Sequence, residues 1–142
     1  MRKNAIRAAW SAGIKADTFD PFLIAEQLDV EYKYVDLGNM DGMYAPILNE
    51  PLILLNDKLE SFNKKYVVMA HEVGHVVMHP DLASYYTLND YTRSKVETEA
   101  NIFACTLLLN YYQEVYDGYP ESFEQLKILY GMPEQYRGYI LD

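Results

Sequence analysis

Between Val30 and Leu55 the apolar residues alternate with polar ones or cluster in short runs, whereas from Ser61 to Tyr130 they recur at three- and four-residue intervals. The first pattern predicts strands and the second helices. Ahead of both, Arg2 to Ser11 is Ala-rich, with Gly13 near its end, and reads as a helix. Asp20-Pro21 opens another, Phe22 to Leu28, because Asp is a good N-cap and Pro suits the first helical position. Val30, Tyr32 and Tyr34 then alternate with Glu31 and Lys33. Met43 to Leu48 and Leu52 to Leu55 follow as apolar runs, set off by Asp41-Gly42 and Asn49-Glu50-Pro51. Three short strands in an antiparallel meander are expected. Pro46 has no N–H to donate, so its strand should have an unpaired side. Ser61 to His79 is predicted as a helix stopped by Pro80, Lys95 to about Tyr112 as the next, and Glu121 to Tyr130 as the last, with Gly131 and Pro133 beyond it. A loop from Pro80 to Arg93 holds Tyr85, Tyr86 and Tyr91, and loops of that length in compact domains tend to carry function. The expected architecture is α+β, one domain over residues 1–142, with helices packed on a small three-stranded antiparallel sheet.

Composition narrows the classes. Half of the 142 residues are apolar, which excludes intrinsic disorder and fibrous repeats. The single cysteine, Cys105, excludes an internal disulfide framework, fits a reducing compartment, and reads as a small core hydrophobe. No run approaches the 7–15 apolar residues of a signal peptide or the ~18 of a membrane span, so a soluble, cytoplasmic protein without a membrane partner is expected. Twelve basic against 21 acidic residues leave a net charge of −9. Phosphate backbones are bound by clustered Lys and Arg, so this balance disfavours nucleic acid and favours basic protein partners. Leu126 to Leu141 has a helix-turn-helix look, but only Lys127 and Arg137 are basic there.

The candidate chemistry lies in His71-Glu72-Val73-Gly74-His75. On a helix His71 and His75 project from one face, where zinc bonds of about 2.0–2.1 Å to each imidazole become possible. Glu72, rotated by about 100°, sits beside such a metal rather than on it, which suits a general base for a metal-bound water. The helix is apolar nearly all round, and two histidines and a glutamate buried in it are costly unless paired or coordinated. The alternative is that they are satisfied polar core residues. His79 is again four residues on, but it lies about 12 Å along the axis from His71, so one ion cannot reach all three. It is expected to meet the last carbonyls of the helix or a group behind the ligands. A third ligand should come from the next helix. Glu97 and Glu99 point about 200° apart. Positions 97, 101, 104 and 108 flank the apolar stripe of Val96, Ala100, Phe103 and Leu107, whereas Lys95, Glu99, Thr106 and Gln113 form a face expected to be solvated. Glu97 is therefore the inward carboxylate, and Asn101, one turn later, is placed to hydrogen-bond a ligating side chain. Tyr85, Tyr86 and Tyr91 could each offer a hydroxyl to an oxyanion, against ordinary packing in a chain with 14 tyrosines.

His71-Glu72-Val73-Gly74-His75, followed by Glu97-Thr98-Glu99-Ala100-Asn101-Ile102-Phe103-Ala104 and Leu107-Leu108-Leu109, resembles the ImmA/IrrE family of zinc metallo-endopeptidases. Asp41-Gly42-Met43-Tyr44 and Leu52-Ile53-Leu54-Leu55-Asn56 extend the resemblance over roughly residues 20 to 112. It implies a zincin-like fold and one Zn2+ held by His71, His75 and Glu97, with Glu72 as general base. Where the family often has Met-Pro after its leucine run, this chain has Leu109-Asn110, which bears on helix termination rather than chemistry. Small members are similar to mobile-element proteins that cleave a helix-turn-helix repressor, which implies a repressor-type protein substrate and an anti-repressor role. The rivals are a protease-like toxin paired with an antitoxin, and a regulator that binds a repressor without cutting it. An intact Glu72 argues against the latter, because binding alone needs no base there.

Overall fold

A computed structural model describes residues 2–47, 50–80 and 89–140. Helix α1 (Arg2–Ala16) runs past Gly13, and its alanine stripe, Ala5, Ala9 and Ala12, is buried. Such small side chains let it lie closely against the later helices. Asp20 accepts the Phe22 N–H at 2.9 Å and starts α2 (Pro21–Gln27), as the Asp-Pro signal predicts.

The sheet differs from the expected meander. Strands β1 (Glu31–Val35), β2 (Gly42–Ile47) and β3 (Glu50–Asn56) stand in the order β1-β3-β2. β2 and β3 form an antiparallel hairpin, but β1 pairs with β3 in parallel, with Tyr32 opposite Ile53 and Tyr34 opposite Leu55. The antiparallel assignment is therefore corrected to a mixed sheet. The physical reason is burial. β3 carries the continuous apolar run, with Ile53 and Leu55 fully buried, and takes the centre, while the proline-bearing β2 takes an edge. Asn56 fastens the arrangement at one end. Its side-chain amide donates to the carbonyls of Gly38 (3.0 Å) and Met40 (2.8 Å) in the β1–β2 connection, and its Oδ1 accepts from Lys58 N–H.

A 3₁₀ turn (Asp57–Leu59) leads to α3 (Lys65–Met78), which begins four residues later than expected and stops before Pro80. The next helix, α4 (Asp90–Tyr116), begins five residues earlier than expected, because Asn89 caps it by accepting Thr92 N–H at 2.8 Å. Its 27 residues span about 40 Å. Phe103, Leu107 and Leu108 on α4 are fully buried, each stabilising the core by roughly 1.5–3 kcal/mol. Phe103 packs onto Gly74 of α3, where a Cβ would stand 3.1 Å from the ring. Helix α5 (Phe123–Tyr130) ends at Gly131, whose φ of +68° is open to glycine at little cost. A side chain there would also strike the Lys64 backbone. A second 3₁₀ turn (Glu134–Tyr136) and the short α6 (Arg137–Ile140) follow, and Tyr136 is buried. Among the described residues no helix is long and apolar enough to cross a membrane.

Candidate metal centre

Helices α3 and α4 run antiparallel, with Tyr66 near Tyr111, Gly74 near Phe103 and His79 near Glu99. This brings Glu97 over the histidine face of α3. His71 Nε2 lies 3.0 Å from Glu97 Oε2, His75 Nε2 lies 2.8 Å from Glu97 Oε1, and the two Nε2 atoms are 3.2 Å apart. One ligand atom from each of the three residues falls within a 4.8 Å span. Two ligands on a tetrahedral zinc at about 2.0–2.1 Å are about 3.3 Å apart, so two nitrogens and a carboxylate at these spacings fit such an ion. The cluster is capable of binding a metal.

The electrostatics follow from burial. Glu72 is buried on the same helix, and loss of water pushes its carboxyl up to about 7, with His71 opposing the shift. Burial works against the charged form of Glu97 as well, but hydrogen bonds from His71 and His75 hold it well below the usual carboxylate range. Burial lowers the His75 pKa despite Glu97. At His71 burial is outweighed by the hydrogen bond to Glu97 and the charge of Glu72, and the pKa rises.

A cleft of about 620 Å³ opens beside the cluster, lined by His71, Glu72 and Glu97, with Gly42, Val68, Asn101 and Tyr136 among its walls. The edge strand β2 approaches Glu72 at Gly42, where a Cβ would lie 2.7 Å from Val68 Cγ1 and 3.4 Å from the Glu72 carboxylate. Lys64 and Asp41, both about half-exposed, pair at 3.0 Å on the rim.

Asn101 lies beside His71, close enough to favour its protonated ring, and its Oδ1 accepts the Tyr136 hydroxyl at 2.7 Å. His71 Nδ1 itself is buried without a hydrogen-bond partner among the described residues. Tyr136 escaped the sequence reading because no local motif surrounds it; only its position after Gly131-Met132-Pro133 hints at a chain turning back. Glu99 corrects the expectation of a solvated face. Its side chain is only 12% exposed and pairs with His79 Nε2 at 3.1 Å, because the end of α3 crosses that side of α4. His79 Nδ1 lies 3.0 Å from His75 Nδ1, behind the cluster, as expected for a group other than a third histidine ligand. Tyr91 is 80% exposed in the first turn of α4 and does not line the cleft. Tyr85 and Tyr86 lie outside the described residues.

Comparison with known proteins agrees with the resemblance seen in the motifs. Residues 25–127, well over half of the chain and including both motif helices, match the model of the IrrE N-terminal-like domain, the peptidase M78 family. The chain is also similar to Metallopeptidase ImmA of Bacillus subtilis (strain 168), 29% identical over 93 residues, which cover 61% of this chain and 53% of that protein. It thus spans about half the length of this curated relative. With the paired histidines of α3 and the motif of α4 both inside the matched region, the chain belongs to the peptidase M78 family, of the ImmA/IrrE type.

Proposed function

We propose that the chain is a cytoplasmic zinc-dependent endopeptidase that cleaves a helix-turn-helix repressor and so relieves repression. The observation that carries the reading is the convergence of His71, His75 and Glu97, with His71 and Glu97 lining one cleft together with the buried Glu72. In this reading the three converging side chains hold zinc, and Asn101 stands beside His71, where it favours the protonated ring. Zinc at this place would supply Lewis acidity and a water acidified to a pKa near 7. Glu72 takes the proton at its carboxylate as the water attacks the scissile carbonyl, and then gives it to the nitrogen of the departing amine. Val68 and the β2 edge exclude solvent around Glu72. An extended peptide is accommodated along β2, which pairs with β3 on one side and has no second partner strand among the described residues. A basic DNA-binding substrate suits the net charge of −9, which steers encounter.

The test uses the product of an adjacent regulator gene as substrate, with and without chelator, and the variant Glu72→Gln. Cleavage should stop with chelator and fall by about 10²–10⁴-fold in the variant, the usual weight of a general base. Zinc content and partner pull-down should remain. A variant that relieves repression in cells as well as the unaltered chain would replace proteolysis by simple binding.

A further inference from the structure

The groups behind His75 form a continuous chain into α4. His75 Nε2 faces Glu97 and His71, so its other ring nitrogen, Nδ1, points away from the cluster and meets His79 Nδ1 at 3.0 Å. His79 Nε2 in turn meets Glu99 Oε1 at 3.1 Å. The side chains of His79 and Glu99 are 9% and 12% exposed, so little water competes for these bonds. The backbone fixes the same geometry, since His79 caps α3 by donating its N–H to the His75 carbonyl at 2.8 Å. His79 is therefore tied to His75 twice.

The proton positions follow from donor counting. A neutral imidazole that offers Nε2 as a lone-pair ligand must carry its proton on Nδ1. That proton needs an acceptor, and His79 Nδ1 is the atom in reach. With Nδ1 accepting, His79 carries its own proton on Nε2 and donates it to Glu99. Each atom in the row has one role, and a carboxylate at the far end sets them all. Ligating histidines are commonly oriented by such an outer partner; here a second histidine stands between ligand and carboxylate.

We propose that His79, held by Glu99, is a positioning residue that fixes the ring orientation and tautomer of His75 for metal binding. This rests on the peptidase reading above. The experiment is zinc affinity of the full chain by competition with a chromophoric chelator, alongside ring-nitrogen NMR of the zinc-loaded protein. His79→Leu removes the acceptor at nearly constant volume and should weaken zinc binding by about 10–100-fold. His79→Asn restores an acceptor oxygen near the place of Nδ1 and should recover most of that loss, whereas a simple brace between helices would lose equally in both. Glu99→Gln keeps an acceptor and should lose less than Glu99→Leu. In the NMR spectrum His75 should be protonated at Nδ1 and His79 at Nε2. Unchanged affinity in His79→Leu, equal losses in the Leu and Asn variants, or a protonated His79 Nδ1 would each overturn the proposal. If His79→Leu does not fold, the spectrum of the unaltered chain decides. An unaltered chain that takes up no zinc would instead overturn the peptidase reading itself.

Discussion

The two ends of the α3–α4 contact are built on different physics. Near its start α3 sets Tyr66 against Tyr111 and Tyr130, with ring centroids 6.1 and 5.8 Å away, and Phe22 stands edge-on at 5.6 Å. Near its finish the same helix sets three histidines against Glu97 and Glu99. The aromatic end is held by area and ring geometry, each ring pair adding about 0.5–1.5 kcal/mol beyond burial, and many residues of similar shape would serve. The histidine end is held by atoms matched one to one, where loss of a partner strands a buried charge or donor. One helix pair therefore carries a tolerant half that rests on apolar packing and an intolerant half that rests on matched polar atoms.

The sharpest way to break this contrast is at the histidine end. In Glu97→Ala the converging carboxylate disappears, and we expect loss of stoichiometric zinc with the fold retained, read by elemental analysis and circular dichroism. Full zinc retention would remove Glu97 from the ligand set. At the aromatic end the expectation is the reverse. Tyr130→Ala should cost about 3–5 kcal/mol in denaturant unfolding, as for other buried aromatics, yet leave the zinc affinity of the folded fraction unchanged. Tyr130→Phe keeps the ring and should cost about 1 kcal/mol or less.

Much of this division was legible in the sequence, because its signals are local. The i, i+4 spacing of His71 and His75, the Asp20-Pro21 start, the stop at Pro80 and the cap at Gly131 each depend on a few neighbouring residues. The parallel pairing of β1 with β3 was not legible. Alternation assigns faces to a strand but does not name its partner, which here depends on Asn56 reaching back to Gly38 and Met40. Glu99 was misread for a related reason. A helical wheel describes one helix, and the burial of Glu99 is decided by where α3 ends. The early start of α4 did have a signal, Asn89-Asp90, masked by the tyrosines around it.

Two smaller effects sharpen the comparison further. Gly42→Ala forces Val68 aside next to Glu72 and should cost about 1–3 kcal/mol of stability, as overpacking does. Its peptide cleavage should fall more than its zinc affinity, which a paired assay would read. The aromatic end should also respond to alkali. Burial, reinforced by the charge of Asp20, pushes the Tyr111 phenol up to about 12 from its ordinary 10. A raised folded pKa means that the neutral form is favoured in the native chain. Its contribution is therefore complete below pH 10 and is lost as pH rises toward 12. Thermal unfolding followed from pH 9 to 12 should show a decline that is shallower in Tyr111→Phe, since Tyr130 and Tyr136, also raised by burial, retain theirs.

Cys105 is 2% exposed on α4, and burial pushes its thiol up to about 12. Thiolate is the reactive form, so near neutral pH this sulfur is closed to alkylating reagents both sterically and chemically. Because it is also the chain's only cysteine, the native protein behaves toward maleimides as if it had none. A cysteine introduced at an open position such as Tyr91 then becomes a single addressable handle, and a fluorophore or spin label attached there reports from the first turn of α4 without any prior removal of native thiols.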